Sequence, residues 1–200
     1  GFRAEPGSVP NSTQKIWFRG NRNLDAGLRF ALDNGLKDAT EFVVTGASAG
    51  GLSTFLHSDK IASYVRDKAP NCKRVTAQPV VGYFLDHDNY AHSNGYPGGP
   101  NSAVWSNISS GKAANYTFWM KYVYSMQNMT FGGGGGLKAA CETQFPGEPH
   151  LCFMSPHMVQ FIKTPFFMIN SKYDKWQLQN ILQTQWSDAD QMKAVLQYGK

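Results

Sequence analysis

The 200 residues of the chain are 42% hydrophobic and 14% aromatic but only 16% charged, against about 25% charged in an average globular chain. That balance excludes a disordered protein, and 20 Gly with 10 Pro exclude a long coiled coil. The net charge of +5 and pI near 9.1 come from Lys and Arg scattered singly, so no nucleic-acid footprint is read, and no apolar run is long enough to span a bilayer.

In chain order, residues 1–15 read as coil and Lys15–Gly20 as a short apolar run ending in a turn. Leu24, Leu28, Ala31 and Leu36 fall near helical spacing, with Asn34-Gly35 as a stop. Glu41-Phe42-Val43-Val44-Thr45 is a compact β-branched run, which predicts a buried strand, and it leads into Gly46-Ala47-Ser48-Ala49-Gly50-Gly51. Leu52, Phe55, Leu56, Ile61 and Val65 then trace one face of a second helix, and Val75–Val81 predicts a second strand. Residues 86–111 have the Asn, Gly, Pro and His content of a long loop. Ala113–Met129 is helical, and its stripe of Phe118, Trp119, Tyr122, Val123 and Met126 reads as core. Gly132–Gly136 is a hinge that does not match a phosphate-binding loop. Ser155-Pro156 caps a short helix over 158–162, and Pro165 opens a strand over Phe166–Ile169. Residues 171–177 form a turn, followed by helical pattern to the end. This alternation predicts an α/β fold, a mostly parallel sheet flanked by helices and buried on both faces.

Cys141 and Cys152 flank a Pro- and Gly-containing segment that can fold back, which predicts a disulfide. No His or Cys pair stands at zinc-site spacing, so neither a metal nor another cofactor is expected. Cys72 is left over, either as a buried free thiol or as half of a disulfide whose partner lies outside the chain. Sequons begin at Asn11, Asn107, Asn115 and Asn128. Disulfide and sequons together point to a secreted or lumenal protein.

Gly46-Ala47-Ser48-Ala49-Gly50 is Gly-x-Ser-x-Gly, set between a predicted strand and a predicted helix. A serine on such a tight turn is held in a strained conformation that projects its Oγ, and bulky flanking residues would collide across the turn. The N–H of Ala49, at the helix N-terminus, is the expected oxyanion donor. The competing reading is a Gly-Ser turn that only caps a helix. In this architecture the order is Ser, then Asp or Glu, then His. Asp174, just past the strand Phe166–Ile169, is the candidate acid; on local grounds it could instead be an N-cap for the helix at Trp176. His57, His87, His92, His150 and His157 all precede Asp174. The expectation is therefore a histidine beyond Lys200, a second oxyanion donor before Gly1, and a single partial domain over 1–200, truncated at both ends and inactive alone. Asp86-His87-Asp88 reads as a solvated loop, and His57 as helix packing.

Several segments, in order, resemble the pectin acetylesterase (Notum-like) family: Trp17-Phe18-Arg19-Gly20, Gly46–Gly51, Leu56-His57-Ser58-Asp59, Gly82-Tyr83-Phe84-Leu85-Asp86, the pair Cys141 and Cys152, and Thr164–Phe167 followed by Asn170, Tyr173-Asp174 and Trp176-Gln177-Leu178. The resemblance runs from about residue 15 to 180. It implies an α/β-hydrolase fold, secretion, disulfides and a Ser-Asp-His carboxylesterase, with Ser48 and Asp174 carried over by position. The expected substrate is an acetylated polysaccharide such as pectin. The alternatives are an acylated protein, with the aromatic stripe lining the acyl pocket, or a binding relic without activity.

Overall fold

The structure, a computed structural model, describes residues 6–8, 13–90, 116–129, 139–184 and 189–198. The sequons at Asn11, Asn107 and Asn115, His92, and the Gly132–Gly136 segment lie outside them. β1 (Gly7–Ser8), in a segment read as coil, pairs antiparallel with β2 (Lys15–Ile16), the start of the short apolar run. Helix α1 (Gly20–Asp33) stops at Asn34-Gly35, and Gly35 takes a φ of 110° that suits a residue without Cβ.

The centre of the fold is a strand, a helix and a second strand: β3 (Glu41–Ala47), α2 (Ala49–Lys68) and β4 (Arg74–Val80). The two strands run parallel in the register Glu41↔Arg74 through Ala47↔Val80, as a helical crossover requires. Phe166 and Ile169 bridge Ala77 and Val80 in parallel, which adds a third strand segment beside β4. β4 ends one residue earlier than its apolar pattern predicts. Val81 sits at φ 43°, a left-handed conformation that costs a β-branched residue its place in the ladder.

The first half of α2 packs Phe55 and Leu56 against Tyr124, Met158 and the Cys141–Cys152 disulfide. Its second half packs Ile61, Ala62 and Val65 against Leu28 and Leu36, with Val75 of β4 beneath them. Each buried Leu, Ile, Val or Phe stabilises the fold by about 1.5–3 kcal/mol. Cys72 lies in this second cluster, 6% exposed, as a free thiol donating to the Arg74 carbonyl at 3.4 Å. Within this chain Cys72 is thus a buried free thiol.

The rest of the described chain is α3 (Tyr116–Met126), α4 (Ala139–Gln144), α5 (Ser155–Met158), α6 (Lys175–Asn180) and α7 (Ala189–Tyr198), with 3-10 turns at Pro149–Phe153 and Val159–Phe161. Three expectations are corrected here. Among the described residues the sheet is covered on one face: Phe42, Val44 and Val75 meet the helices, but Val43 is 55% and Phe167 71% exposed. No described element packs over that other face. The aromatic stripe of α3 is core only in part: Phe118 and Tyr122 are exposed, Val123 packs against the core, and Tyr124, off the stripe, is buried. Ser155 makes no cap; its buried hydroxyl donates to the Gly82 carbonyl at 3.0 Å.

Candidate active site

β3 delivers Ser48 to the turn before α2 with φ 56° and ψ −120°, a conformation L-residues rarely adopt. Strain of this kind costs of order 1–3 kcal/mol and persists only where surrounding contacts impose it. Those contacts are visible. The Ser48 N–H donates to the Val80 carbonyl at 3.0 Å, and the Ser48 carbonyl accepts the first helical bond from Leu52 at 3.0 Å. The exposed Ser48 side chain makes no capping bond to the helix.

Close backbone packing explains the glycines. A Cβ on Gly46 would lie 2.5 Å from the Gly50 carbonyl oxygen, inside the turn itself. A Cβ on Gly51 would lie 2.5 Å from the Val80 carbonyl oxygen and 2.9 Å from Gly82 Cα. Helix α2 thus starts in direct contact with the end of β4. Ala49 is the first residue of this 20-residue helix, so its N–H is one of the donors a helix leaves without an intrahelical acceptor.

The candidate acid arrives on the third strand segment. Phe167 and Ile169 donate to the Ala77 and Pro79 carbonyls at 2.9 and 3.0 Å, and the Val81 N–H donates to Ile169 at 2.7 Å. The chain turns at Asn170, and Asp174 caps α6 by accepting the Gln177 N–H on Oδ1 at 2.9 Å. The N-cap role weighed against catalysis is therefore present, and it occupies one carboxylate oxygen. Ser48 follows β3 and Asp174 follows the third strand segment, both past the carboxyl ends of strands that lie on either side of β4.

Beside Asp174 is a groove of about 410 Å³ lined by Tyr83, Leu85, Asn170, Gln177 and Tyr198. Burial raises the Tyr198 phenol well above its ordinary range, and the nearby Asp174 charge adds to the shift. His57 lines a cavity of about 370 Å³ between α1, β3 and α2. The His87 ring meets Tyr198 edge-on at 5.0 Å. His157 pairs with Asp86 at 2.7 Å, Thr117 donates to the same carboxylate, and Asp86 is thus a partly buried link between the loop after β4, α3 and α5, not a solvated residue. Among the described residues, no group of three or more His, Cys, Asp or Glu could hold a metal ion.

Gln177 and Tyr198 are the site residues that sequence reading missed. Asp174-x-x-Gln177 has the spacing of a capping box, a signal that could have singled out Gln177. No local pattern marks Tyr198.

A strand, a strained serine turn, a helix and an acid two strands away define an α/β-hydrolase-like fold. Solved structures agree: the Wnt deacylase Notum from Drosophila superposes with a TM-score of 0.73 over 96% of this chain and 49% of that one, at 19% identity. The chain belongs to the pectinacetylesterase family, whose sequence model matches residues 2–198. It is 27% identical to pectin acetylesterase 11 of Arabidopsis thaliana over 85% of this chain and 36% of that protein. It is 24% identical to the palmitoleoyl-protein carboxylesterase notum2 of Xenopus laevis over 90% of this chain and 35% of that protein. The chain therefore spans about a third of the length of these relatives.

Proposed function

We propose that the protein containing this chain is a secreted serine carboxylic ester hydrolase that removes O-acetyl groups from a polysaccharide such as pectin. The observation that carries this reading is the strained, exposed Ser48 between β3 and α2. Its Oγ attacks the ester carbonyl, and the Ala49 N–H donates to the oxyanion. A histidine oriented by Asp174 takes the serine proton and returns it to the departing alcohol, and water then hydrolyses the acyl-serine. In the Ser, Asp, His order that histidine follows Asp174, and none stands between Asp174 and Lys200. No cofactor enters the reaction.

Secretion is supported by the Cys141–Cys152 disulfide and by the exposed Asn128 of the fourth sequon. The net charge of +5 suits an acidic polysaccharide by raising encounter rates. Hydrolysis of p-nitrophenyl acetate by the full-length protein and its Ser48→Ala variant tests the reading. Loss of at least about a thousandfold in kcat is expected, and equal rates refute the assignment of Ser48.

A second reading, a deacylase for long acyl chains on a protein, is favoured by the fold likeness to Notum. A chain-length series of p-nitrophenyl esters separates the two: a preference for octanoate over acetate selects the deacylase.

A further inference from the structure

We propose that Gln177 is a positioning residue for Asp174, locking the acid-bearing turn to the loop that follows β4. The inference rests on the reading of Asp174 as the triad acid. Gln177 is 2% exposed, yet each polar group of its side chain has a partner. Its Nε2 donates to the Tyr83 carbonyl at 3.0 Å, and its Oε1 accepts the Leu85 N–H at 3.1 Å. The amide thereby engages alternate residues of an extended segment as a neighbouring strand would, though the sheet has no strand there. Tyr198, from the end of α7, donates its hydroxyl to the same Oε1 at 3.0 Å. From its backbone N–H the residue holds Asp174 Oδ1 at 2.9 Å, and Asn170 Oδ1 accepts the Tyr83 N–H at 3.2 Å.

One buried side chain therefore ties together the loop leaving β4, the turn that carries the acid and the last described helix. Gly82, next to Tyr83 in that loop, touches Gly51 behind the nucleophile turn, so the same loop meets both the serine and the acid segments. Removing the Gln177 amide leaves the partly buried Tyr83 carbonyl and Leu85 N–H without this partner and frees the loop to move relative to Asp174. A carboxylate misplaced by about 1 Å serves the imidazole poorly, at a cost on the order of a hundredfold in rate.

The test uses the full-length protein with p-nitrophenyl acetate, comparing wild type, Gln177→Met, Tyr198→Phe and Asp174→Asn for kcat, KM, the pH profile of kcat/KM and thermal midpoint. Gln177→Met is expected to lower kcat about 10- to 100-fold with KM within about twofold, and to move the acidic limb to lower pH as the imidazolium loses its carboxylate. Tyr198→Phe, which removes one hydrogen bond and leaves no cavity, is expected to change kcat in the same direction by a few-fold, and it decides the matter if Gln177→Met does not fold. A folded Gln177→Met with a lower midpoint but unchanged kcat and pH profile overturns the positioning role, as does an unchanged Tyr198→Phe where Gln177→Met is unfolded. Asp174→Asn separates the two levels of the argument. Loss of about 10⁴-fold upholds the acid, whereas retained activity overturns the acid assignment and the positioning role with it.

Discussion

Gly51→Ala should be far more damaging than Gly50→Ala, although Gly50 is the residue belonging to the Gly-x-Ser-x-Gly pentapeptide. Both glycines lie in the first turn of α2. A Cβ on Gly50 meets nothing within 4 Å, whereas one on Gly51 meets the Val80 carbonyl oxygen at 2.5 Å and the Gly82 backbone at 2.9 and 3.0 Å. These obstacles are backbone atoms on the end of β4, so no side-chain rotation relieves the clash. Overpacking in a rigid site costs about 1–3 kcal/mol, and main-chain obstacles place Gly51→Ala at the upper end. Unfolding entropy grows with chain length, so in the longer full-length protein the midpoint should fall by a few degrees. Gly50→Ala, by contrast, gains helix propensity worth up to about 1 kcal/mol and should hold or slightly raise it. Thermal unfolding of the two variants of the full-length protein, followed by circular dichroism, checks this. Equal midpoints would refute the inference that α2 starts in contact with β4.

The Cys141–Cys152 bridge closes a loop of sequence separation 11, for which the chain-entropy estimate is about 3 kcal/mol. The Cys141→Ser, Cys152→Ser double variant should lose close to that in urea unfolding, and a loss below about 1 kcal/mol would show that the segment is held by packing alone. The buried His150 imidazole is kept below its ordinary value of 6.5, first by burial and then by the charge of Lys121. Below pH 6.5 the unfolded chain therefore binds more protons at this site, and its contribution to stability is lost as pH falls from 6.5 through the folded-state value. His150→Gln should flatten the unfolding free energy against pH in that window, and an unaltered slope would refute the assignment.

Much of the site was legible in short stretches of sequence. The elbow was readable because its chemistry is local: the strand, the small residues around Ser48 and the helix after it all fall within about 25 consecutive positions. The disulfide was readable for the same reason, since a Pro- and Gly-containing segment brings its two ends together whatever surrounds it. The two roles weighed for Asp174 could not be ranked locally, because an N-cap and a triad acid use the same carboxylate on the same turn. The structure shows the N-cap, with Oδ1 on the Gln177 N–H.

Periodicity misled wherever burial depends on what covers an element. The stripe of α3 has helical spacing, yet Phe118 and Tyr122 face outward, because a period defines a face and not its partner. The β-branched run of β3 predicts burial on both sides, yet Val43 is open because the described helices pack on the other face. Asp86 read as a solvated loop residue because its partners, Thr117 and His157, lie 31 and 71 positions away.

The sequence by itself determined the serine turn between strand and helix, the order of strands and helices, the cysteine pairing and the family resemblance, all set by adjacent residues and fixed spacings. Only the tertiary structure decided that Gly51 and Gly82 touch, that Cys72 is a core thiol, and that Gln177 joins Tyr83, Leu85, Asp174 and Tyr198. Those contacts span 21 to 94 positions in the chain, apart from the local cap on Asp174 and the Cys72 environment. They exist because parallel strands bring distant segments to one edge of a sheet, which no local pattern encodes.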